Sequence, residues 1–336
     1  MIRIITLDEM RSLIQKVHLK TFFLKLIDQL EQDFGRWEEF EKSPRHAIYY
    51  PQGVIELMPI SDRKYYSFKY VNGHPGNPQH GKQTVIALGL LSETASGYPL
   101  LISEMTLLTA LRTAATAALV SKYMARKNVS SFGIVGTGAQ SEFQVLAHYF
   151  ALGIKDVYYF DLDPHAMQKF EHNLGSFGIK LHRCKSAEAV AQQSAIVTTA
   201  TAAPGRAKII QSSWIKPGVH INGIGGDSPG KTELDPLLLD KAKIVVEYLP
   251  QTKEEGEIQG SSTSRVYAEL WELVQKRKAG RESVQEITLF DSVGFALEDY
   301  SALRLVYALA EEHQIGHLHT MVPEISDPKN LFSLLI

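Results

Sequence analysis

Residues 132–140 have the sequence FGIVGTGAQ, a short apolar run that ends in Gly136 and Gly138 and is followed by a helical pattern from Ser141. An apolar strand, a glycine turn and a helix, in that order, are typical of a dinucleotide-binding site. The first glycine permits a tight turn, the second lets a pyrophosphate approach the backbone, and the first helical N–H groups face the phosphate charge. Gln140 and Ser141 stand where the full fingerprint has a third small residue. The stretch predicts a phosphate-binding turn that opens a wound α/β sheet.

The next apolar run, DVYYFDLDP over residues 156–164, ends in a carboxylate, Asp161. This carboxylate can accept hydrogen bonds from ribose hydroxyls and would repel a 2′-phosphate, so it favours NAD over NADP. Asp163 has a different predicted role as the N-cap of a helix that begins at Pro164. The alternative is that Gly136 and Gly138 only connect a strand to a helix. Asp161, at the end of the next apolar run, favours cofactor binding instead.

Further short runs rich in β-branched residues follow, separated by helical or polar segments. They are VYYFDLD, KLHRC, AIVTTAT, VHINGIG, KIVVEYL and ITLFDSV. This alternation predicts an α/β fold with a doubly wound parallel sheet and helices on both faces. Because the sheet begins in the middle of the chain and a helical pattern follows it, we expect the first domain to be discontinuous.

The segment before this sheet mixes helices and strands. Apolar residues at helical spacing predict a helix from Phe23 to Trp37, and an alanine-rich helix is expected from about Met105 to Ala125 with Ser103 as its N-cap. The runs GVIELMPI and YSFKYV read as strands, and TVIALGLLS with YPLLISEM reads as a hairpin. A last helix is expected from Phe295 to about Glu312.

Composition excludes several classes of protein. The 336 residues are 44% hydrophobic and 21% charged with a net charge of −2, which is typical of a globular protein. There is no basic excess to hold nucleic acid or an anionic membrane, and no run reaches the ~20 apolar residues that span a bilayer. The first residues lack a signal-peptide pattern, and Cys184 is the single cysteine. We therefore expect a cytoplasmic protein without nucleic-acid or membrane partners.

Residues 225–232, GGDSPGKT, match the ATP-binding pattern G-x-x-x-x-G-K-[ST]. The context argues against ATP, because Pro229 has no N–H to donate and Asp227 would put negative charge inside the anion site. The next helix signal, Asp235–Pro236, also comes too late. What remains is Asp227 and Lys231 on a turn after a sheet strand. Asp227 is either a proton-transfer group beside a nicotinamide or an aspartate that bonds its own turn.

Three cations and one acid in the remaining sequence are candidates for binding a substrate. Arg45, Lys69 and Arg112 could clamp a carboxylate together, although each taken singly would more commonly be a solvated surface cation. Arg112 stands out because it lies in a small, apolar helical run. Glu56 lies between Ile55 and Leu57 in a strand, so it is either a solvent-facing acid or a partner for a substrate ammonium.

Several long blocks resemble the ornithine cyclodeaminase/μ-crystallin family. They are RTAATAALVSKYMAR, GTGAQSEFQ, GIGGDSPGKTEL, VEYLPQTKEEGEIQ and FDSVGFALEDYSALR. Together with GVIELMP and FKYVNGHPGNP they resemble the bacterial ornithine cyclodeaminase branch, from about Phe34 to Phe332. The resemblance implies an enzyme that converts L-ornithine to L-proline and ammonia, with NAD recycled in each turnover. It also implies a homodimer with two domains, an NAD-binding Rossmann domain over 116–295 and a substrate-binding and dimerisation domain over 1–115 and 296–336.

The resemblance also implies roles for individual residues. Arg45, Lys69 and Arg112 would clamp the α-carboxylate, Asp227 would transfer protons, and Val293 would touch the substrate. Independently of the resemblance, Lys69 could tune the ionisation of the amine by like-charge proximity, and Glu56 could face the distal ammonium. NAD would contact Thr84, Arg112, Gly136, Gly138, Ala139, Gln140, Asp161, Thr201, Ile224, Gly225, Gly226, Asp227, Lys231 and Ser292. No metal ion is expected.

Two other classes of function stay open at this point. One is a related redox enzyme, such as an alanine-type amino acid dehydrogenase, a ketimine reductase, or a lysine or arginine cyclodeaminase. The other is a non-catalytic nucleotide-binding protein similar to μ-crystallin. Asp161 favours NAD over the NADPH expected for that second class.

Overall fold

The computed structural model describes residues 1–260 and 265–336. In chain order its strands and helices are β1 (Ile2–Ile5), α1 (Leu7–Val17), α2 (Leu19–Gly35), β2 (Glu41–Lys42), β3 (His46–Tyr50), β4 (Gly53–Ser61), β5 (Tyr65–Gly73), β6 (Ala87–Glu93), β7 (Pro99–Glu104), α3 (Thr106–Met124), β8 (Ser131–Val135), α4 (Ser141–Leu152), β9 (Asp156–Phe160), α5 (Pro164–Leu174), β10 (Lys180–Arg183), α6 (Ala187–Gln193), β11 (Ile196–Thr199), β12 (Arg206–Ile210), β13 (His220–Gly223), β14 (Thr232–Leu234), α7 (Pro236–Leu239), β15 (Ala242–Val246), α8 (Leu249–Glu255), β16 (Val266–Glu269), α9 (Leu270–Val274), β17 (Ile287–Asp291), α10 (Ala296–His313) and β18 (His317–His319).

The first sheet has eight strands, in the order β18-β1-β7-β6-β5-β4-β2, with β3 also paired to β4. The strands β4 to β7 form an antiparallel meander, and the predicted hairpin is the β6–β7 pair. Along β4, Met58 and Ile60 are buried, whereas Leu57, the residue before Met58, is exposed. Helix α10 packs against β4, β5 and β6. One face of this sheet therefore belongs to the core.

The second sheet has eight strands in the order β10-β9-β8-β11-β13-β17-β15-β16, and every pair is parallel. The predicted doubly wound sheet is therefore confirmed, and all six runs named above lie in it. The chain proceeds from β8 outward to β10 and then returns to β11 on the other side of β8. That reversal creates a crevice at the carboxyl ends of β8 and β11, where wound sheets bind ligands.

Helix α3 continues through the middle of the molecule and packs against α2, α4 and β13. Its alanines permit close approach of these neighbours, and most of the helix is buried. The predicted N-cap Ser103 is wrong, because Ser103 lies in β7. The side chain of Glu104 instead accepts the backbone N–H of Leu107 at 3.0 Å and of Leu108 at 3.3 Å.

The predicted first helix also ends too late, since α2 begins at Leu19 and ends at Gly35. Trp37 lies in a 3-10 turn and stacks between Phe34 and Trp271 at centroid distances of 6.0 and 6.1 Å. Trp37 packs between these rings, and its spacing from Phe34 matches a helical pattern although the helix has already ended. In the described residues, no helix is long and apolar enough to cross a membrane.

Candidate active site

A cleft of about 310 Å³ lies where the two sheets meet. Eleven of the predicted site residues line it: Arg45, Glu56, Lys69, Thr84, Arg112, Gln140, Ile224, Asp227, Lys231, Ser292 and Val293. They come from the segments before β3 and β6, from β4, β5 and α3, from the glycine turn after β8, and from the segments after β13 and β17. The structure therefore brings the predicted substrate residues and several of the predicted NAD residues together. The remaining predicted NAD residues lie in the adjoining turns: Gly136, Gly138, Ala139, Asp161, Thr201, Gly225 and Gly226.

The glycine turn has the geometry that the sequence predicts. Gly136 has a φ of +96°, and a Cβ there would overlap the carbonyl oxygen of Ala200. A Cβ on Gly138 would meet nothing within 4 Å, so its side faces open space, as the neighbouring Ala139 does. The side-chain carbonyl oxygen of Gln140 is buried without a hydrogen-bond partner. An open surface over a glycine, beside an unpaired polar atom, fits a polar ligand held at the start of α4.

Asp161 follows β9, as predicted, and its carboxylate also organises the turn. One oxygen accepts the backbone N–H of Thr137 at 2.6 Å, and the other accepts the N–H of Asp163 at 2.9 Å. Asp163 caps α5 by accepting from the N–H of His165, which confirms its predicted role. Asp161 is only partly buried, and a carboxylate has lone pairs left to accept further hydrogen bonds.

Arg45 is held in the cleft wall by acceptors on every side. Its Nη1 donates to Glu56 at 3.0 Å, its Nη2 donates to the carbonyl oxygens of Val293 and Gly294, and its Nε lies 3.2 Å from Glu255. Burial disfavours the charged guanidinium, but Glu56 and Glu255 outweigh this effect and raise the pKa of Arg45. Arg45 and Glu56 are therefore a buried ion pair and not solvated surface groups.

Lys69 and Arg112 form a second buried charge cluster with two acids of α10. Lys69 Nζ lies 2.9 Å from Asp299, and Arg112 lies 3.0 Å from Asp299 and 2.6 Å from Glu298. Burial first and the nearby Arg112 second lower the pKa of Lys69 to about 8, against the opposing effect of Asp299. Neither acid was predicted, because their neighbours in sequence give only a helical pattern.

Asp227 and Lys231 form an ion pair at 3.1 Å on the mouth of the cleft. The Asp227 side chain is 51% exposed, yet it also lines the cleft with Ser228. The turn ends in the short strand β14, and helix α7 begins only at Pro236, with Asp235 as its N-cap. The ATP-site pattern thus lacks the helix that an ATP site requires, as the sequence predicts.

Two buried acids lie directly beneath the turn that carries Asp227. A Cβ on Gly225 would overlap the carboxylate of Glu233, and one on Gly226 would lie 2.7 Å from Glu257. Glu233 also accepts the backbone N–H of Thr201 at 2.9 Å. A side chain at either glycine would therefore have to displace one of these buried carboxylates. The predicted contact of Thr201 with NAD can involve other atoms of that residue, since its hydroxyl donates to Glu233.

Ser292 donates its hydroxyl to the buried Glu247 at 2.6 Å, which fixes the loop after β17. Thr109 is a further lining residue that the sequence did not point to, and its hydroxyl is buried without a partner. Among the described residues, no group of three or more His, Cys, Asp or Glu side chains is placed to hold a metal ion.

Comparison with known proteins identifies the family. A model of the ornithine cyclodeaminase/mu-crystallin family matches residues 8–314. The chain belongs to the ornithine cyclodeaminase/mu-crystallin family. The resemblance that the sequence motifs indicated is thereby confirmed.

Three relatives illustrate the range of this family. The ornithine cyclodeaminase of Agrobacterium fabrum is 47% identical over 99% of this chain and 94% of its own length. An archaeal alanine dehydrogenase dimer with bound NAD superposes with a TM-score of 0.88 at 34% identity, covering 96% of this chain and 99% of that one. A lysine cyclodeaminase structure that concerns recognition of L-lysine, L-ornithine and L-2,4-diaminobutyric acid gives a TM-score of 0.92 at 27% identity over 99% of each chain.

Proposed function

We propose that this family member is an ornithine cyclodeaminase that converts L-ornithine to L-proline and ammonia with NAD. The observation that carries the proposal is the shared cleft, whose lining includes three buried cations together with Asp227 and Gln140 of the glycine turn. The 47% identical relative named ornithine cyclodeaminase supports the choice of substrate.

The residues present fit NAD. Gly138 and Ala139 would leave room for the pyrophosphate, Asp161 would accept from a ribose hydroxyl, and Gln140 Oε1 would gain the partner it lacks. Thr84, Ile224, Lys231 and Ser292 line the cleft where the nicotinamide end would lie. When bound, NAD supplies a group that accepts hydride from the substrate and later returns it.

The substrate carboxylate would bind first at Lys69 and Arg112. Arg112 has one amino group, Nη2, outside its contacts with Glu298 and Asp299, and Lys69 brings a second buried cation to the same place. Arg45 already donates to Glu56, Glu255 and two carbonyl oxygens, so it would reach the substrate by exchanging its contact with Glu56. That exchange would free Glu56 to face a substrate ammonium.

Asp227 would carry the proton transfers of cyclisation. It would accept a proton from the distal ammonium, so that the neutral amine can attack the oxidised Cα, and would return that proton to the departing ammonia. Lys231, 3.1 Å away, would keep its carboxylate oriented. The atoms balance because the ornithine cation becomes proline and an ammonium ion.

The test is product analysis with ornithine, lysine and alanine as separate substrates. With ornithine and catalytic NAD we expect proline and ammonia in equal amounts without accumulation of NADH. Asp227→Asn should lower kcat by at least about 100-fold, whereas Asp163→Asn, the same change at a helix N-cap outside the cleft, should leave it unchanged. Steady formation of NADH would identify a net dehydrogenase, and faster turnover of lysine would identify a lysine cyclodeaminase.

We also propose a homodimer, a cytoplasmic location and the two domains 1–115 with 296–336 and 116–295. The uncovered apolar face of the first sheet supports the dimer, as does the dimeric state named for the 34% identical alanine dehydrogenase. The free cysteine Cys184 fits a reducing compartment. The proposed boundary at 115 lies inside the continuous α3, so that helix would join the two domains.

A further inference from the structure

The segment from α8 to Gln259 contacts both sides of the cleft. At its start, Gln251 Oε1 accepts the backbone N–H of Arg45 at 3.0 Å and Gln251 Nε2 donates to Gly294 at 2.7 Å. Glu255 then pairs with Arg45. At its end, the segment reaches the turn that carries Asp227. The residue that makes this last connection is Gln259.

Gln259 uses its whole carboxamide to join the two pieces of backbone. Its Oε1 accepts the N–H of Gly230 at 2.5 Å, and its Nε2 lies within 2.9 Å of Lys231 O and 3.3 Å of Ser228 O. The same Nε2 also lies 2.9 Å from Gly256 O and 3.0 Å from Glu255 O. One half-buried side chain therefore ties residues 228–231 to the end of α8.

The rest of the turn is fixed on its other side. Glu257 accepts the backbone N–H of Glu233 at 2.8 Å and of Leu234 at 2.9 Å. Asp291 in turn accepts the N–H of Glu257 at 2.8 Å. Residues 232–234 are thus anchored in the core, whereas Asp227 directly precedes the stretch 228–231 that Gln259 holds. Within the described residues, the Asp227 carboxylate accepts a hydrogen bond from Lys231 in that stretch.

We propose that Gln259 is a positioning residue, whose carboxamide holds the 228–231 turn so that Asp227 stays over the cleft. The proposal rests on the proposed function. Gln259 does not line the cleft, so it acts through Asp227 and not on the substrate. A displaced Asp227 would slow attack of the distal amine, and the oxidised substrate would then be hydrolysed by water to a 2-oxo acid and ammonia, leaving NADH behind.

The test compares Gln259→Ala and Gln259→Glu with Gln192→Ala, which removes a glutamine that donates to Glu188 on the exposed face of α6. Glutamate keeps the size and the acceptor oxygen of Gln259, but it has no N–H to donate to the surrounding carbonyl oxygens. Gln259→Glu should therefore not restore the kcat of the parent protein. Both Gln259 variants should lower kcat about tenfold or more, with the ornithine KM changed less than about threefold. Both should also raise the ratio of NADH to proline, while Gln192→Ala matches the parent.

Amide hydrogen exchange supplies a readout independent of activity. Without cofactor or substrate, peptides covering residues 226–232 should exchange faster in the Gln259 variants, at an unchanged melting temperature. The inference is overturned if this exchange is unchanged, or if kcat falls without any rise in the NADH-to-proline ratio. If the parent protein makes no proline, the proposed function fails, yet the exchange experiment still decides whether Gln259 holds the turn.

Discussion

Lys69 shows how much a single position depends on partners from elsewhere in the chain. Its side chain is 1% exposed, and its ammonium shares the carboxylate of Asp299 with Arg112. The sequence made Lys69 a candidate only through its motif, because nothing local distinguishes it from a solvated lysine. Burial and two neighbouring cations disfavour its charged form. Its charge therefore becomes sensitive to pH in a range where ordinary lysines stay protonated.

This environment predicts a pH dependence of substrate binding. Because the pKa of Lys69 is lowered to about 8, the ammonium is present below that pH and is lost as pH rises through it. We expect the ornithine KM to rise about tenfold between pH 7 and pH 9. Lys69→Arg keeps its charge throughout, so its KM should rise less. The substrate ionises identically in both proteins, so an equal rise in the variant would contradict a role for Lys69.

At the scale of elements, the turn between β8 and α4 was predictable because its signals are local. A glycine must turn tightly after a buried strand, and a helix must follow it. The turn that carries Asp227 was less predictable, since its shape depends on Glu233 and Glu257, whose carboxylates lie beneath Gly225 and Gly226. Contacts between a glycine and a buried carboxylate form only in the folded protein, so they leave no periodic pattern in the sequence. Strand β16 was also not predicted from the sequence.

Two glycine substitutions separate the structural and binding roles of the first turn. Gly136→Ala should lower the free energy of unfolding by about 1–3 kcal/mol, because φ is +96° and the Cβ would overlap Ala200 O. Gly138→Ala should leave the melting temperature of the free protein unchanged, since its Cβ meets nothing within 4 Å.

The second substitution should nevertheless weaken NAD binding at least about tenfold, because the added methyl group would occupy the space proposed for the pyrophosphate. Calorimetric titration with NAD, alongside thermal unfolding of both variants, would measure these effects. Unchanged NAD affinity in a folded Gly138→Ala protein would place the pyrophosphate elsewhere.

At the scale of the whole molecule, strand β4 has apolar residues on both faces. Met58 and Ile60 face the core, but Leu57 on the other face is 38% exposed. Tyr70 of β5 pairs with Leu57 on one side and with Leu88 of β6 on the other, and Leu88 is 56% exposed. A single chain therefore covers only one side of this strand. Contiguous exposed apolar surface of this kind marks an interaction site, and we have proposed a second copy as its partner.

A charge placed on this face should dissociate the dimer. In Leu88→Glu each copy would bring a carboxylate into the interface, and the few kcal/mol required to bury an unpaired charge should raise the dissociation constant at least about 100-fold. Leu162→Glu is the matched control, because Leu162 is 89% exposed in the loop after β9, away from the first sheet. Sedimentation equilibrium at micromolar concentration should find a dimer for the parent and for Leu162→Glu and a monomer for Leu88→Glu. A parent protein that is monomeric at this concentration would show that the copies do not pair. A Leu88→Glu protein that stays dimeric would show that they pair through another surface.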